Sequence, residues 1–302
     1  MTSMASTIVE AASQNDDLVA IVGQTASGKT ALAIDVAIAL NGEIVSADSV
    51  QIYREFNIGS GKPTAEELSR AKHYLIDALN PLDTIDAAGF AKLASACVDD
   101  IRARGKRPIV CGGTFLWVKA LLFGLAPAPP GSDELRAKHR ELVEREGAEA
   151  LHAALAEIDP EAAARLHAND IVRVSRALEV HTLSGRAMTE WQREHAFATV
   201  HYPHQMFAIA HSNEELTKRI EARVTAWLEE GWIDEVESLI KRGYENARAM
   251  SSVGYHEVAA HVKGELPREE LAIAIVRATR VFARRQKTWL NSADVTLLPY
   301  SR

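Results

Sequence analysis

Apolar positions along this chain change period several times. Unbroken apolar runs, such as LVAIV at 18–22 and PIVC at 108–111, alternate with stretches where apolar residues recur every three or four positions. The first pattern suits a strand buried on both faces, the second an amphipathic helix. Strands are predicted at 18–22, 43–46, 74–77 and 108–111, and helices at 29–40, 87–104 and 114–123. Strands alternating with helices imply a parallel α/β sheet. The segment LAPAPPGSDE at 125–134 interrupts this with proline and glycine and marks a domain boundary. From 133 to 192 only helical periodicity remains, which predicts an all-α insertion. HQMFAIA at 204–210 predicts a strand returning to the sheet, followed by helices over 213–242 and 268–290 and a short last strand within 294–299. The expected division is an extension at 1–16, a core at 17–125 and 204–302, and a helical insertion at 126–203.

Between the first strand and the first helix stands GQTASGKT, residues 23–30, which fits G-x-x-x-x-G-K-[ST]. The fold class expected from it is a P-loop NTPase-like parallel sheet flanked by helices. In such a nucleotide-binding or ATP-binding loop the backbone amides of Gly23, Gln24, Thr25, Ala26, Ser27 and Gly28 point at an anion. Lys29 reaches the terminal phosphate oxygens and the Thr30 hydroxyl offers a ligand to Mg²⁺.

Other chemistry is expected at the carboxyl ends of the strands. Asp48 stands at the second strand's tip, where a carboxylate can bind metal or take a proton, with Gln51, Tyr53 and Arg54 close behind. Gly112 and Gly113 at the fourth tip permit close backbone approach, and Thr114 either caps the next helix or faces a ligand. Asp77 is the nearest candidate for a Walker B acid, but no second acid follows it, and the Asn-Lys-x-Asp base-reading pattern of GTPases is missing. Hydrolysis is therefore poorly supported. A kinase that clamps its phosphoryl group with Arg173 and Arg176 fits better on these residues alone.

Composition changes this picture little. Of 302 residues 47% are hydrophobic, and no apolar run is long enough for a membrane span. Residues 1–16 lack a basic segment and are expected to be a disordered extension of a cytoplasmic protein. Cys97 and Cys111 have no metal-ligand spacing and read as buried thiols. No long apolar heptad demands a dimer, so a monomer is expected. The net charge of −7 argues against a nucleic-acid partner, but its distribution does not. Arg277, Arg280, Arg284, Arg285 and Lys287 contain no acid among them, and four of these share one helix face. That face is either merely solvated or a site for an anion such as RNA.

The motifs GQTASGKT, SADSVQIYREFNIGSGKP, HYLID, PIVCGGTFLWVKALLFGL, DPEAAARLHANDIVRVSRALEV, VGYHE and TRVFARRQKTWL occur in one order from about 18 to 290. Together they resemble the tRNA isopentenyltransferase (tRNA dimethylallyltransferase) family. The resemblance implies that the P-loop holds the diphosphate of dimethylallyl diphosphate with Mg²⁺. The prenyl group then passes to the exocyclic N6 amine of the adenosine adjacent to the anticodon of tRNA. It implies Asp48 as the base, with Lys29 and Thr114 assisting; Arg219 and Arg223, four apart on one helix face, are candidates for further diphosphate contacts unless they are solvated or pair near Glu221. It places contacts to the tRNA anticodon stem-loop at Asp48, Ser49, Val50, Gln51, Thr114, Arg136, and Val172, Arg173, Val174, Ser175 and Arg176. The rest fall at Gly254, Tyr255, His256, Arg284, Arg285, Gln286, Lys287, Thr288 and Trp289. Tyr255 and Trp289 are either base-stacking groups or core aromatics. The chain departs from the usual pattern at Gln24, where Pro is common, at Ser60-Gly61, at Val172, where Gln is usual, and at His256, where Lys or Arg is common. Rival readings are a prenyltransferase for free AMP or ADP, a metabolite kinase, and a non-catalytic RNA-binding protein.

Overall fold

The computed structural model describes residues 3–300. The chain runs α1 (Ser3–Ala12), β1 (Leu18–Val22), α2 (Lys29–Ala39), β2 (Gly42–Ser46), α3 (Ala65–Arg70), β3 (His73–Tyr74), α4 (Ala87–Ala103), β4 (Arg107–Gly112) and α5 (Phe115–Phe123). It continues through α6 (Asp133–Glu146), α7 (Ala148–Ile158), α8 (Pro160–Arg165), α9 (Ile171–Ser184) and α10 (Met188–His195). Then come β5 (His204–Ala210), α11 (Asn213–Glu230), α12 (Trp232–Lys241), a 3₁₀ turn (Arg248–Ser251), α13 (Tyr255–Val262), α14 (Arg268–Leu290) and β6 (Thr296–Pro299). Two compact units result: residues 123–200, and the remainder of the chain.

In the larger unit the six strands lie in the order β3-β2-β4-β1-β5-β6, every pair parallel. All five residues of β1 are buried, because helices cover both faces of a central parallel strand. This is the P-loop NTPase-like sheet, and it brings the tips of β1, β2, β4 and β5 to one edge. Among the described residues no helix is long and apolar enough to cross a membrane.

Two expectations fail here. Residues 3–12 are not disordered: Ala5, Ile8 and Ala12 recur at helical spacing and α1 buries them against α2. Met1 and Thr2 lie outside the described residues. The predicted strand at 74–77 is only two residues long, since Leu75 and Asp77 have positive φ, incompatible with a ladder. Asp77 consequently leaves the sheet edge and pairs with Lys62 Nζ at 2.6 Å, so it occupies no Walker B position.

The smaller unit is helical and has its own core of Leu151, Leu155, Ala162, Ala163, Val174, Ala177 and Leu178. Its buried anchor is Glu179, which receives the Ser132 N–H at 2.6 Å, Arg176 Nη1 at 2.5 Å and Arg136 Nε at 3.2 Å. Burial pushes the Glu179 pKa up, but these donors outweigh it and hold the carboxyl below its ordinary value.

Candidate active site

β1 feeds the phosphate loop, which curls through left-handed conformations at Ala26 (φ 63°) and Gly28 (φ 90°) before α2 begins at Lys29. The Thr25 N–H turns away to Gln286 Oε1 at 2.8 Å and the Ser27 N–H to the Gln24 carbonyl at 3.3 Å. The expectation that these two amides face an anion therefore fails; the remaining loop amides and the positive end of α2 suit one. The loop is braced from β5 and α11. His211 Nε2 donates to the Ser27 carbonyl at 2.9 Å, and Arg219 Nε donates to the Ala26 carbonyl at 2.7 Å. Arg223 Nη2 donates to Thr25 Oγ1 at 2.6 Å, with its guanidinium 4.5 Å from the centre of the Trp227 ring. Arg219 and Arg223 therefore turn toward the loop, while Glu221 faces solvent. Burial lowers the Lys29 pKa, opposed in part by nearby Asp48. Burial likewise brings Arg223 down to about 10, with Asp48 opposing and Arg219 reinforcing the shift. Cys111, pushed up to about 11 by burial, is a neutral thiol, and neither cysteine is paired.

At the tip of β2, Asp48 Oδ1 accepts the N–H groups of Val50 at 2.9 Å and Gln51 at 3.2 Å. This Asx turn fixes the carboxylate beside the loop. Thr114 Oγ1 accepts the Ser49 N–H at 3.1 Å and lies 3.3 Å from Ser49 Oγ, so it ties the β2 and β4 tips together rather than capping α5. The tips are close enough that a Cβ on Gly112 would lie 2.1 Å from the Ala47 carbonyl.

One cavity of about 470 Å³ joins these parts. Thr25, Lys29, Asp48, Thr114 and Arg223 line its polar side; Trp117, Trp227, Trp232, Ile275 and Phe282 are among its apolar walls. The apolar wall was missed in the sequence, although Arg223 and Trp227 stand four apart, the spacing of a same-face helical pair. A neighbouring cavity holds Thr30 with Lys29, Asp48 and Gln51. The donors there, a hydroxyl and one carboxylate, are hard oxygens. Among the described residues no group of three or more His, Cys, Asp or Glu could hold a metal unaided. Such a sparse set fits Mg²⁺ bound chiefly through substrate phosphate and water.

Several expected RNA contacts face inward instead. Gln51 spends its amide on the Ser60 and Gly61 carbonyls, at 3.2 and 2.8 Å. Val174 and Ser175 are buried in the helical unit, where Ser175 Oγ meets His139 Nδ1 at 2.8 Å. In that unit Arg136 and Arg176 are committed to Glu179, while Val172 and Arg173 are exposed. Tyr255 is fully buried against Phe56 and Trp232, and its hydroxyl donates to Glu235 Oε1 at 2.6 Å. Gly254, also buried, has φ 92°, and a Cβ there would lie 2.3 Å from the Trp232 ring. Trp289 stacks on Phe115 at 4.2 Å, and Gln286 is buried. Val174, Ser175, Gly254, Tyr255 and Gln286 are thus packed inside, whereas Gln51, Arg176 and Trp289 are half-buried and Arg136 stays exposed beside Glu179. His256, Arg284, Arg285 and Thr288 are exposed, as are Arg277 and Arg280, whereas Lys287 is half-buried and donates to Asn213 Oδ1 at 3.2 Å. On α14 the positions Leu271, Ile275, Thr279, Ala283, Gln286 and Leu290 form the inner stripe, which leaves the arginines outside.

A sequence model described as IPP transferase matches residues 51–293. The chain belongs to the IPP transferase family. Among its relatives is the tRNA dimethylallyltransferase of Sorangium cellulosum, 59% identical over 92% of this chain and 89% of that protein. The tRNA dimethylallyltransferase 1 of Citrifermentans bemidjiense is 44% identical over 94% and 92%. Among solved structures, a full-length tRNA isopentenylpyrophosphate transferase from Bacillus halodurans superposes with a TM-score of 0.70 at 36% identity, covering 94% of this chain and 90% of that one.

Proposed function

We propose that this chain transfers a dimethylallyl group from dimethylallyl diphosphate to the N6 amine of the adenosine adjacent to the anticodon in tRNA, releasing diphosphate. The relatives named tRNA dimethylallyltransferase support the reaction class. The observation that carries the reading is the single cavity in which the phosphate loop and Asp48 face an aromatic wall.

The loop amides not already bonded within the protein, Lys29 and Arg223 bind the diphosphate and stabilise the charge that builds on it as the allylic C–O bond breaks. The Thr30 hydroxyl would hold Mg²⁺, which would supply further positive charge to that leaving group. Trp227, Trp232 and their neighbours shelter the five-carbon unit from water, which would otherwise compete as nucleophile. An adenine amine is a weak nucleophile, and Asp48 accepts its proton as the C–N bond forms. The Asx turn keeps that carboxylate on the loop side of the cavity. The target base must leave its stack, which costs a few kcal/mol. The exposed arginines of α14 supply phosphate contacts that offset this cost. The protein works as a monomer in the cytoplasm.

The test is a mass measurement of nucleosides from bulk tRNA after incubation with the protein, dimethylallyl diphosphate and Mg²⁺. A five-carbon gain on adenosine is expected. Prenylation of free AMP with unchanged tRNA, or transfer of phosphate from ATP to a small acceptor, would overturn the reading.

A further inference from the structure

Gln286 sits in a motif that resembles an RNA-contacting segment, yet only 5% of it is exposed. Its Oε1 accepts the Thr25 N–H at 2.8 Å, and its Nε2 donates to the Gly113 carbonyl at 3.1 Å. Thr25 belongs to the phosphate loop, and Gly113 immediately precedes Thr114 at the β4 tip. One turn earlier on α14, the Ala283 carbonyl accepts Gln24 Nε2 at 2.9 Å. The helix therefore grips the loop at two successive residues and the β4 tip at a third. The two Gln286 bonds need an acceptor and a donor on one side chain, which a carboxamide supplies and a carboxylate or thioether does not. The fit is close: a Cβ on Gly113 would lie 2.6 Å from Nε2.

We propose that Gln286 is a positioning residue that holds the phosphate loop and the Thr114 strand tip in register for diphosphate binding, and is not an RNA contact. The inference rests on the reading of the loop as a diphosphate site. Gln286→Met keeps the length and loses both bonds. Gln286→Glu keeps the acceptor and sets a carboxylate against the Gly113 carbonyl. Gln286→Asn keeps the chemistry on a shorter arm and serves if the methionine variant does not fold. Exposed Arg285→Ala is the neighbouring control.

Two affinities are measured on the full chain. Inorganic pyrophosphate with Mg²⁺ is titrated by calorimetry, and an anticodon stem-loop is titrated without any prenyl donor. The Gln286 variants are expected to lose about tenfold in pyrophosphate affinity, roughly the worth of one hydrogen bond to each anchored element. Their stem-loop affinity should stay within about twofold of wild type, and Arg285→Ala should show the reverse pattern. With both substrates, the Gln286 variants should raise KM for dimethylallyl diphosphate and leave KM for tRNA unchanged, a split that general loosening of the fold does not produce. Wild-type pyrophosphate affinity in the variants, or stem-loop loss matching Arg285→Ala, overturns the proposal. Pyrophosphate binding involves no prenyl transfer, so a wild type that binds it without prenylating tRNA defeats only the functional reading. A wild type that binds no pyrophosphate defeats both.

Discussion

The Arg223 guanidinium reaches the Thr25 hydroxyl at 2.6 Å, so a helix that follows β5 closes over the loop that follows β1. Trp227 backs that guanidinium, and burial has already lowered its pKa to about 10. Replacing it by Lys removes the fork while keeping a charge. Arg223→Lys should weaken pyrophosphate binding about tenfold, and Arg223→Ala by up to about a hundredfold. Calorimetric titration measures both.

Asp48→Asn retains the Oδ1 acceptor that receives Val50 and Gln51, so the turn survives while basicity is lost. Turnover should fall about 10²–10⁴-fold with little change in affinity for either substrate. Single-turnover kinetics with saturating tRNA separate the two effects.

Anion binding should also respond to alkali. Lys29 has a pKa below the ordinary lysine value, because burial disfavours its charged form. In the free protein the cation is thus lost earlier than usual as pH rises. Pyrophosphate affinity should decline at alkaline pH in the wild type, and this lysine-dependent slope should vanish in Lys29→Met. Titrations across that range, with melting followed in parallel, provide the check.

Glu43, 3% exposed at the foot of β2, accepts from Arg104, Lys106 and Tyr74. The Arg104 bonds, foremost among these, hold its carboxyl well below the usual range. Because the folded pKa is depressed, this stabilisation is complete above the unfolded value of about 4.3 and fades as pH falls toward the folded one. Glu43→Gln should cost about 2 kcal/mol at neutral pH. The gap from wild type should narrow only below about pH 4.3; urea melts at several pH values measure it.

Gly254→Ala places a methyl 2.3 Å from the Trp232 ring at a φ of 92°. Overpacking and left-handed strain together should cost about 2–4 kcal/mol. Thermal denaturation should show it, and the displaced Trp232 should alter one wall of the cavity.

The parts of this molecule that are contiguous in sequence were readable there. The phosphate loop, the five apolar residues of β1 and the tip carboxylate Asp48 are each specified by neighbours a few positions away. HYLID looked like a longer strand because its apolar residues are continuous, and nothing local reveals the positive φ of Leu75 and Asp77. The helix predicted over 213–242 is two, broken at Gly231 with φ 103°, a glycine signal that periodicity alone passed over. The small residues of 3–12 obscured a helical stripe of Ala5, Ile8 and Ala12 that was present all along. The aromatic wall and the inward turn of Gln286 depend on where α11, α12 and α14 return to the sheet, and that is a tertiary fact. A short motif does not say which side of a helix is buried, so likeness alone left Tyr255 and Trp289 open between stacking and core and gave Gln286 to RNA. Tyr255 and Gln286 prove buried, and Trp289 half-buried.

The bond between Gln286 and Thr25 spans 261 positions of chain. During translation the loop emerges long before its latch, so a nascent polypeptide has the anion-binding sequence well ahead of the residue that braces it. A truncation that removes only the tail of α14 is expected to leave a protein with every catalytic side chain and no latch to hold the loop around its anion.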